Sequence, residues 1–495
     1  MVLFCGFAAM YAFTVQRGIC WQDSGARQWR IITGDYAGQL GLALSHPLYI
    51  ALGRLFLRVP FADAATRLNL LSGAAMAVAL ANISALTAVL SGKRWIGIAT
   101  AAMLSVMHTV WWLATITEVY TLNAALLSAE LLMLVRLIRR PATQTAAALF
   151  FLSGLDLCVH NLAILPLPVY AGVVLVLLKR KQLRFSALVF SACSYIAGSA
   201  MYAAMIADVA LKSGSASGAL HSALFGRYAS EVLGTVPVWR FFKVNAGLVC
   251  LNFASFFLPL SVAGWLCMRR RLGGLLTAAL AGITLIEIVF SLRYPVPDQF
   301  MFILPSLIMA ALAASIGIAG FAGRSRRWRG WVMAACVVSI AMPPVLYSGL
   351  PDLVRAAGLE VKRKRVRPYR DEIRYWGVPW KHNERSAEQF ADAALKQAMP
   401  NGLIICDNTA FYPLVLKQHL DRKAPGVTIR KYGALLAKGR AGPQWLEDTL
   451  RARPVFVIRA LVGMVPPEKV CKHESVGSDA PVLVRLKGKD QQQME

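Results

Sequence analysis

The sequence predicts an all-α polytopic membrane protein with a small soluble α/β domain at its C-terminal end. Three observations lead there. The 495-residue chain is 57% hydrophobic and only 16% charged, against about 25% charged in ordinary soluble domains. Long apolar runs recur through the first 349 positions, each close to the roughly 17–25 residues that cross a bilayer core. Lys and Arg gather in alternate loops, as the positive-inside rule requires of a multispanning chain.

Taken in order, the apolar segments fall at 1–16, 64–90, 95–115, 119–138, 144–159, 162–178, 185–210, 244–267, 272–292, 299–321 and 328–347. They make eleven expected spans. The opening segment lacks a basic n-region and a small-residue cleavage site, so it reads as a first span rather than a removable signal. His160, Asn161, Pro166 and Pro168 divide the long stretch 144–178 into two.

Orientation follows from charge. Five loops carry Lys93-Arg94, Arg136 with Arg139-Arg140, Lys179 to Lys181 with Arg184, Arg269 to Arg271, and Arg324 with Arg326, Arg327 and Arg329. Those sixteen basic residues have no Asp or Glu among them, and all five loops share one face of an eleven-span chain. That face is expected to be cytoplasmic. The net charge of +27 is then explained by topology and anionic lipid rather than by nucleic acid.

The boundary is expected near 349–350. Residues 1–349 form the membrane domain, with a first external loop at 17–63, and 350–495 form an extracytoplasmic domain. A basic connector at 362–365 leads to helical periodicity over Ser386–Met399, with Ser386 as N-cap. Leu403–Cys406, Val427–Lys431 and Val455–Arg459 read as short strands, and Thr409–Leu420 as a helix between them. This domain has no Gly-rich phosphate loop and no nucleophile elbow. Nine cysteines show no metal-ligand spacing. Most lie in apolar segments; Cys406 and Cys471 are the pair available in an oxidising compartment. No cofactor motif is evident, and a divalent metal stays open.

The loops opposite the basic face hold the chemistry. Asp23 follows the first span beside Trp21, expected at interfacial depth, and precedes a Ser-Gly turn. By itself it reads first as a helix cap. Arg27 and Arg30 stand at helical spacing and suit a phosphate; singly, each reads as a snorkelling side chain. Trp29 and Leu40–Leu44 suggest a helix lying in the membrane interface, which His46-Pro47 breaks. Glu118 lies between Trp-rich sequence and Tyr120–Asn123, as a cavity-facing acid or a first-turn helix acid. Asp156 and His160, four apart, are placed to pair, and His160-Asn161 makes a turn on the same face. Arg293 and Asp298 flank Tyr294–Pro297, with Asp298 again a candidate cap.

In order along the chain, Asp23-Ser24-Gly25, His46-Pro47-Leu48-Tyr49, Arg67–Gly73, Glu118–Asn123, His160-Asn161, Pro297–Phe300 and Arg370–Lys381 resemble the DUF2723 family. Its relatives include a eukaryotic protein O-mannosyltransferase and bacterial membrane proteins of the GT-C glycosyltransferase superfamily. The resemblance implies a GT-C-like fold, a polyprenyl-phosphate sugar donor, and a carboxylate base in the first external loop, at Asp23. Ala26 stands where many relatives carry Glu, which makes Glu118 the better candidate for an acceptor or metal contact. The expectation is therefore an inverting glycosyltransferase of a bacterial inner membrane. Asp23 is its base, and Arg27, Arg30, His46, Glu118, His160, Asn161, Arg293 and Asp298 hold the donor phosphate or substrate. Its partners are membrane lipid, the lipid-linked donor and an unspecified acceptor. The alternatives are a transporter or flippase of lipid-linked saccharide, and a scaffold presenting the tail. The absence of an internal repeat weighs against a transporter.

Overall fold

The computed structural model describes residues 1–234, 239–358, 367–437, 443–458, 471–475 and 482–488. The basic connector at 362–365 lies outside them. Among the described residues, six helices are long and apolar enough to cross a membrane: Ala64–Ser91, Tyr120–Arg139, Asn161–Lys179, Gly274–Arg293, Gln299–Ala322 and Arg326–Ala356. Two bent pairs raise this to eight if each is one span. Ala64–Ser91 shows why such segments fold as they do. Asp63 caps it by accepting from the Thr66 N–H at 2.9 Å, and Gly92 closes it at φ 71°. Its 28 residues reach about 42 Å, enough to cross hydrocarbon with length to spare.

Gln299–Ala322 is the most enclosed of the six. It packs against Phe257–Leu272 through facing glycines. A Cβ on Gly264 would stand 1.7 Å from the Ala313 carbonyl oxygen, and one on Gly317 would stand 2.2 Å from that of Leu260. Small residues let two backbones meet where apolar side chains gain little by leaving lipid.

The bent pairs are breaks the apolar pattern does not announce. Arg94–Ser105 turns by 75° into His108–Ala114, and Ser186–Gly198 turns by 65° into Ala200–Ser213. The first bend is pinned from a neighbouring helix. Asn252 accepts from the Thr109 N–H at 2.8 Å and donates to the Thr109 hydroxyl at 3.0 Å. The short helix is thereby laid across the bundle, which brings Trp112 and the following loop inward. The last membrane helix, Arg326–Ala356, runs unbroken through position 349.

The tail builds a five-stranded sheet from β1 (Leu403–Cys406), β2 (Thr428–Lys431), β3 (Val455–Ile458), β4 (Cys471–Ser475) and β5 (Leu483–Gly488), in the order β2-β1-β3-β5-β4. β1 pairs in parallel with β2 and β3, and β5 pairs antiparallel with β3 and β4. The three apolar strands expected from sequence are present. Cys406 lies in β1 and Cys471 in β4, three strand spacings apart and offset along the strands, so more than about 14 Å and beyond disulfide reach. The helix Ser386–Gln397 begins after Arg385. Ser386 is not its cap; its hydroxyl instead accepts from the Trp21 indole N–H at 2.8 Å.

That bond is part of how the tail seats on the membrane domain. Trp21 is fully buried, not interfacial, and packs on Phe390 with ring centroids 5.1 Å apart. The helix Gln22–Thr33 lies under the tail helix Asn408–Asp421, at a point where only glycine fits. A Cβ on Gly25 would meet the Cys20 carbonyl at 2.3 Å and Tyr412 at 3.1 Å. The segment before Ser386 threads between the first and third apolar segments. The Lys381 N–H donates to the Thr14 carbonyl at 2.8 Å, and the Thr115 hydroxyl donates to that of Pro379 at 2.9 Å.

Candidate active site

A cavity of about 1050 Å³ opens where the loops of the bundle meet the tail. Asp23, Arg27, His46, Glu118, His160, Asn161 and Asp298 all line it. Side chains spread over 275 positions of sequence thus face one space. Arg30 and Arg293 are not among its lining residues. Arg30 donates to the carbonyls of Asp35, Tyr36, Leu44 and Ser45 at 2.6–3.1 Å. Arg293 donates to those of Val232 and Gly234 at 2.7 and 2.9 Å. Both guanidiniums tie irregular backbone together, which sequence spacing cannot distinguish from phosphate binding.

Asp23 stands in the first turn of Gln22–Thr33 and does not cap it; Trp21 is the residue before the helix, and no side chain caps it. Among the described residues the Asp23 carboxylate has neither hydrogen bond nor ion-pair partner. The helix places it there because its opposite face is committed to the interior. Gln28 accepts from the Cys20 N–H at 2.9 Å and donates to Asn69 at 3.0 Å, while Ile31 is fully buried. Asp23 is left to face the cavity, at the helix end whose dipole favours an anion.

Glu118 is differently placed. Its carboxylate accepts from the Ser24 hydroxyl at 2.7 Å and pairs with Arg27 at 2.8 Å, while its own N–H donates to Ser72 at 2.9 Å. Burial pushes Glu118 up to about 7, with Arg27 and Ser24 pulling it down. Glu118 thus holds the Asp23 helix and its arginine in place.

Asp298 precedes a short 3-10 turn without capping it. Burial, and then the Asp23 charge, push it up to about 6. The folded protein therefore holds this proton more tightly than the unfolded chain does. Its favourable contribution is complete below about pH 4 and is lost as pH rises through 6. Asp298→Asn, which cannot ionise, should raise stability at pH 8 by roughly 1–3 kcal/mol, and the gain should vanish by pH 4. Thermal unfolding across that range is the measurement; a gain that does not change with pH would contradict the assignment.

His160 does not pair with Asp156. Asn123 donates to Asp156 at 2.7 Å, and His160 uses its Nδ1 to accept from the Leu162 N–H at 3.1 Å. His46, held at φ 52°, donates from Nδ1 to the Val159 carbonyl at 2.7 Å. The two imidazoles stack with centroids 5.2 Å apart and planes 17° from parallel. Burial holds both well below the ordinary histidine range, His160 at about 3.

The tail contributes the rest of the wall: Arg367, Arg370, Tyr375, Trp376, Asn408 and Thr409. Arg370 lies over the rings of Trp21 and Tyr375 at 5.4 and 4.4 Å and pairs with Glu372 at 2.6 Å. Trp376 stacks on Trp112 at 5.7 Å. Sequence reasoning assigned this domain no chemistry. The one available signal was Arg370–Lys381, a charged, Trp-rich run that holds Arg370 and Arg374 and follows Arg367. Among the described residues, no group of three or more His, Cys, Asp and Glu is spaced to hold a metal ion.

Comparison with known proteins adds a partial family match and a fold. Residues 39–184 match the model of the Protein O-mannosyl-transferase TMEM260 N-terminal domain family, TMEM260_N. That segment contains His46, Glu118, His160 and Asn161, and Asp23 precedes it. The Protein O-mannosyl-transferase TMEM260 of Mus musculus is 30% identical over 206 residues, which are 40% of this chain and 28% of that protein. Among solved structures, ArnT from Cupriavidus metallidurans bound to undecaprenyl phosphate superposes with a TM-score of 0.59 at 12% identity. The match covers 98% of this chain and 97% of ArnT. The apo state gives 0.56 over the same shares. At that identity the likeness is one of fold: multi-pass helical bundle and tail together follow the ArnT architecture.

Proposed function

We propose that the chain is a membrane glycosyltransferase. It moves a sugar from a polyprenyl-phosphate donor to an acceptor hydroxyl or amine on the extracytoplasmic face, with inversion. The observation that carries this reading is the unpartnered Asp23 carboxylate on a cavity that also holds three guanidiniums, those of Arg27, Arg367 and Arg370. Asp23 takes the acceptor proton as the acceptor atom bonds to the anomeric carbon. The bond from that carbon to the phosphate oxygen breaks, and its electron pair leaves with the lipid phosphate. Arginine suits such an anion by geometry as well as charge. The bundle fold of ArnT, which binds undecaprenyl phosphate, and the matched O-mannosyl-transferase segment both support a lipid-linked donor.

In this reading the chain crosses a bacterial inner membrane eleven times. The six long helices and two bent pairs are joined by Val2–Thr14, Thr143–Leu157 and Phe257–Leu272, and the tail lies in the periplasm. The purified protein, reconstituted in lipid with radiolabelled polyprenyl-phosphate sugars and a lysate of acceptors, should release bare lipid phosphate and label an acceptor. Movement of the lipid across vesicles without turnover would make it a transporter, and neither result would leave the enzymatic reading without support.

A further inference from the structure

The stacked pair His46 and His160 contains a chemical asymmetry that neither residue has alone. The Val159 carbonyl can only accept, so His46 Nδ1 carries a proton and its Nε2 is a bare lone pair. The Leu162 N–H can only donate, so His160 Nδ1 is bare and its Nε2 carries the proton. The backbone thus fixes opposite tautomers in two parallel rings. Both rings line the cavity, and neither Nε2 is sealed in the interior without a partner. One ring thus offers a proton from its Nε2, and the other offers a lone pair.

Such a pair does not suit a phosphate, whose oxygens need donors only; the His46 lone pair would repel them. It suits a neutral group that donates and accepts together. We propose that His46 and His160 form the subsite for the sugar ring of the lipid-linked donor, reading a ring hydroxyl as acceptor and donor at once. This rests on the glycosyltransferase reading above, and it places the phosphate toward Arg367 and Arg370 on the tail wall of the cavity. Burial and the nearby Arg27 keep both rings neutral, so the subsite should not change character between pH 6 and 8. Neighbouring Asn161 is committed elsewhere, donating to the Ala223 and Leu224 carbonyls at 2.8 and 3.2 Å.

Asparagine tests this cleanly. In His46→Asn the amide N–H₂ can keep the bond to Val159, and Asn tolerates the left-handed backbone at that position. In His160→Asn the amide oxygen can keep accepting from Leu162. Each variant can keep the backbone bond while removing Nε2 together with the outer part of the ring. Binding of undecaprenyl-phosphate mannose, glucose and arabinose, and of bare undecaprenyl phosphate, is measured on the full chain in nanodiscs. Each variant should weaken the best-bound sugar lipid by about 10–100-fold, as for a site left with an unpaired polar group, and change the bare lipid phosphate by less than about threefold. Equal losses on both lipids would make the pair a phosphate site, and no loss on either would make it purely structural; both overturn the proposal. So would failure of the wild type to bind any sugar lipid. Turnover separates the two readings. Wild-type transfer with unchanged sugar binding in the variants sinks the subsite alone, whereas His-dependent sugar binding without wild-type transfer sinks the enzyme alone.

Discussion

Asp23→Asn is expected to lower the rate of sugar transfer by about 10²–10⁴-fold, the usual contribution of a positioned general base, while leaving folding and donor binding nearly unchanged. The size of the effect follows from what Asp23 lacks. It caps nothing and pairs with nothing among the described residues, so the amide removes a charge that no structural bond uses. Relief of repulsion between Asp23 and Asp298 should even help stability slightly. The split is the useful readout: kcat falls, while the KM for donor and the thermal midpoint hold. Asp23→Glu should recover part of the rate, because it restores the base about one bond length away. If Asp23→Asn turned over at the wild-type rate, the base would have to be sought at Asp298.

Glu118→Ala should instead act on the fold. Arg27 is only 8% exposed and its partner is the Glu118 carboxylate at 2.8 Å. Removing one member of a buried pair strands the other charge, at a cost of roughly 3–5 kcal/mol. The double variant Arg27→Met, Glu118→Leu should recover most of that stability and remain inactive, since it also removes a guanidinium from the cavity. Glu118→Gln keeps the Ser24 contact and the shape, and should fall between the two. Thermal unfolding in detergent, paired with a transfer assay, resolves all three. A Glu118→Ala protein as stable as wild type would mean that water hydrates Arg27 from the cavity and that the pair does not hold the helix.

These two residues also show how far the sequence carries. Periodicity and charge placement put Asp23, Glu118, His160 and Asp298 at one end of the bundle, and the structure gathers them on one cavity. The same reasoning treated Arg27 and Arg30 as equivalents. One helical turn decides otherwise: Arg27 meets the buried Glu118, whereas Arg30 reaches the carbonyls of 35–45, a loop whose path no local pattern encodes. Strands β1 to β3 were legible because each is a short apolar run. β4 and β5 were not, since CKHES and LVRLKG mix charge into edge and near-edge strands that need less apolar cover. The bends at Val106-Met107 and at Ser199 lack proline and are set by tertiary partners such as Asn252. Arg367, Arg370, Asn408 and Thr409 were missed for a related reason. Beyond the Arg370–Lys381 run, no local pattern says that the tail folds back across more than 300 residues to finish a wall.

That return of the tail gives the protein a built-in order of assembly. The membrane helices leave the ribosome first, carrying Asp23, Arg27 and Glu118, yet Trp21 finds Ser386 and Phe390 only after the tail has been made and folded. Until then the cavity lacks one side, and the apolar face that Trp21 presents stays uncovered. A nascent or truncated chain can therefore have every loop residue in place and still leave Asp23 on an open surface. In the proposed reading, transfer would begin only once the last domain has closed the cavity.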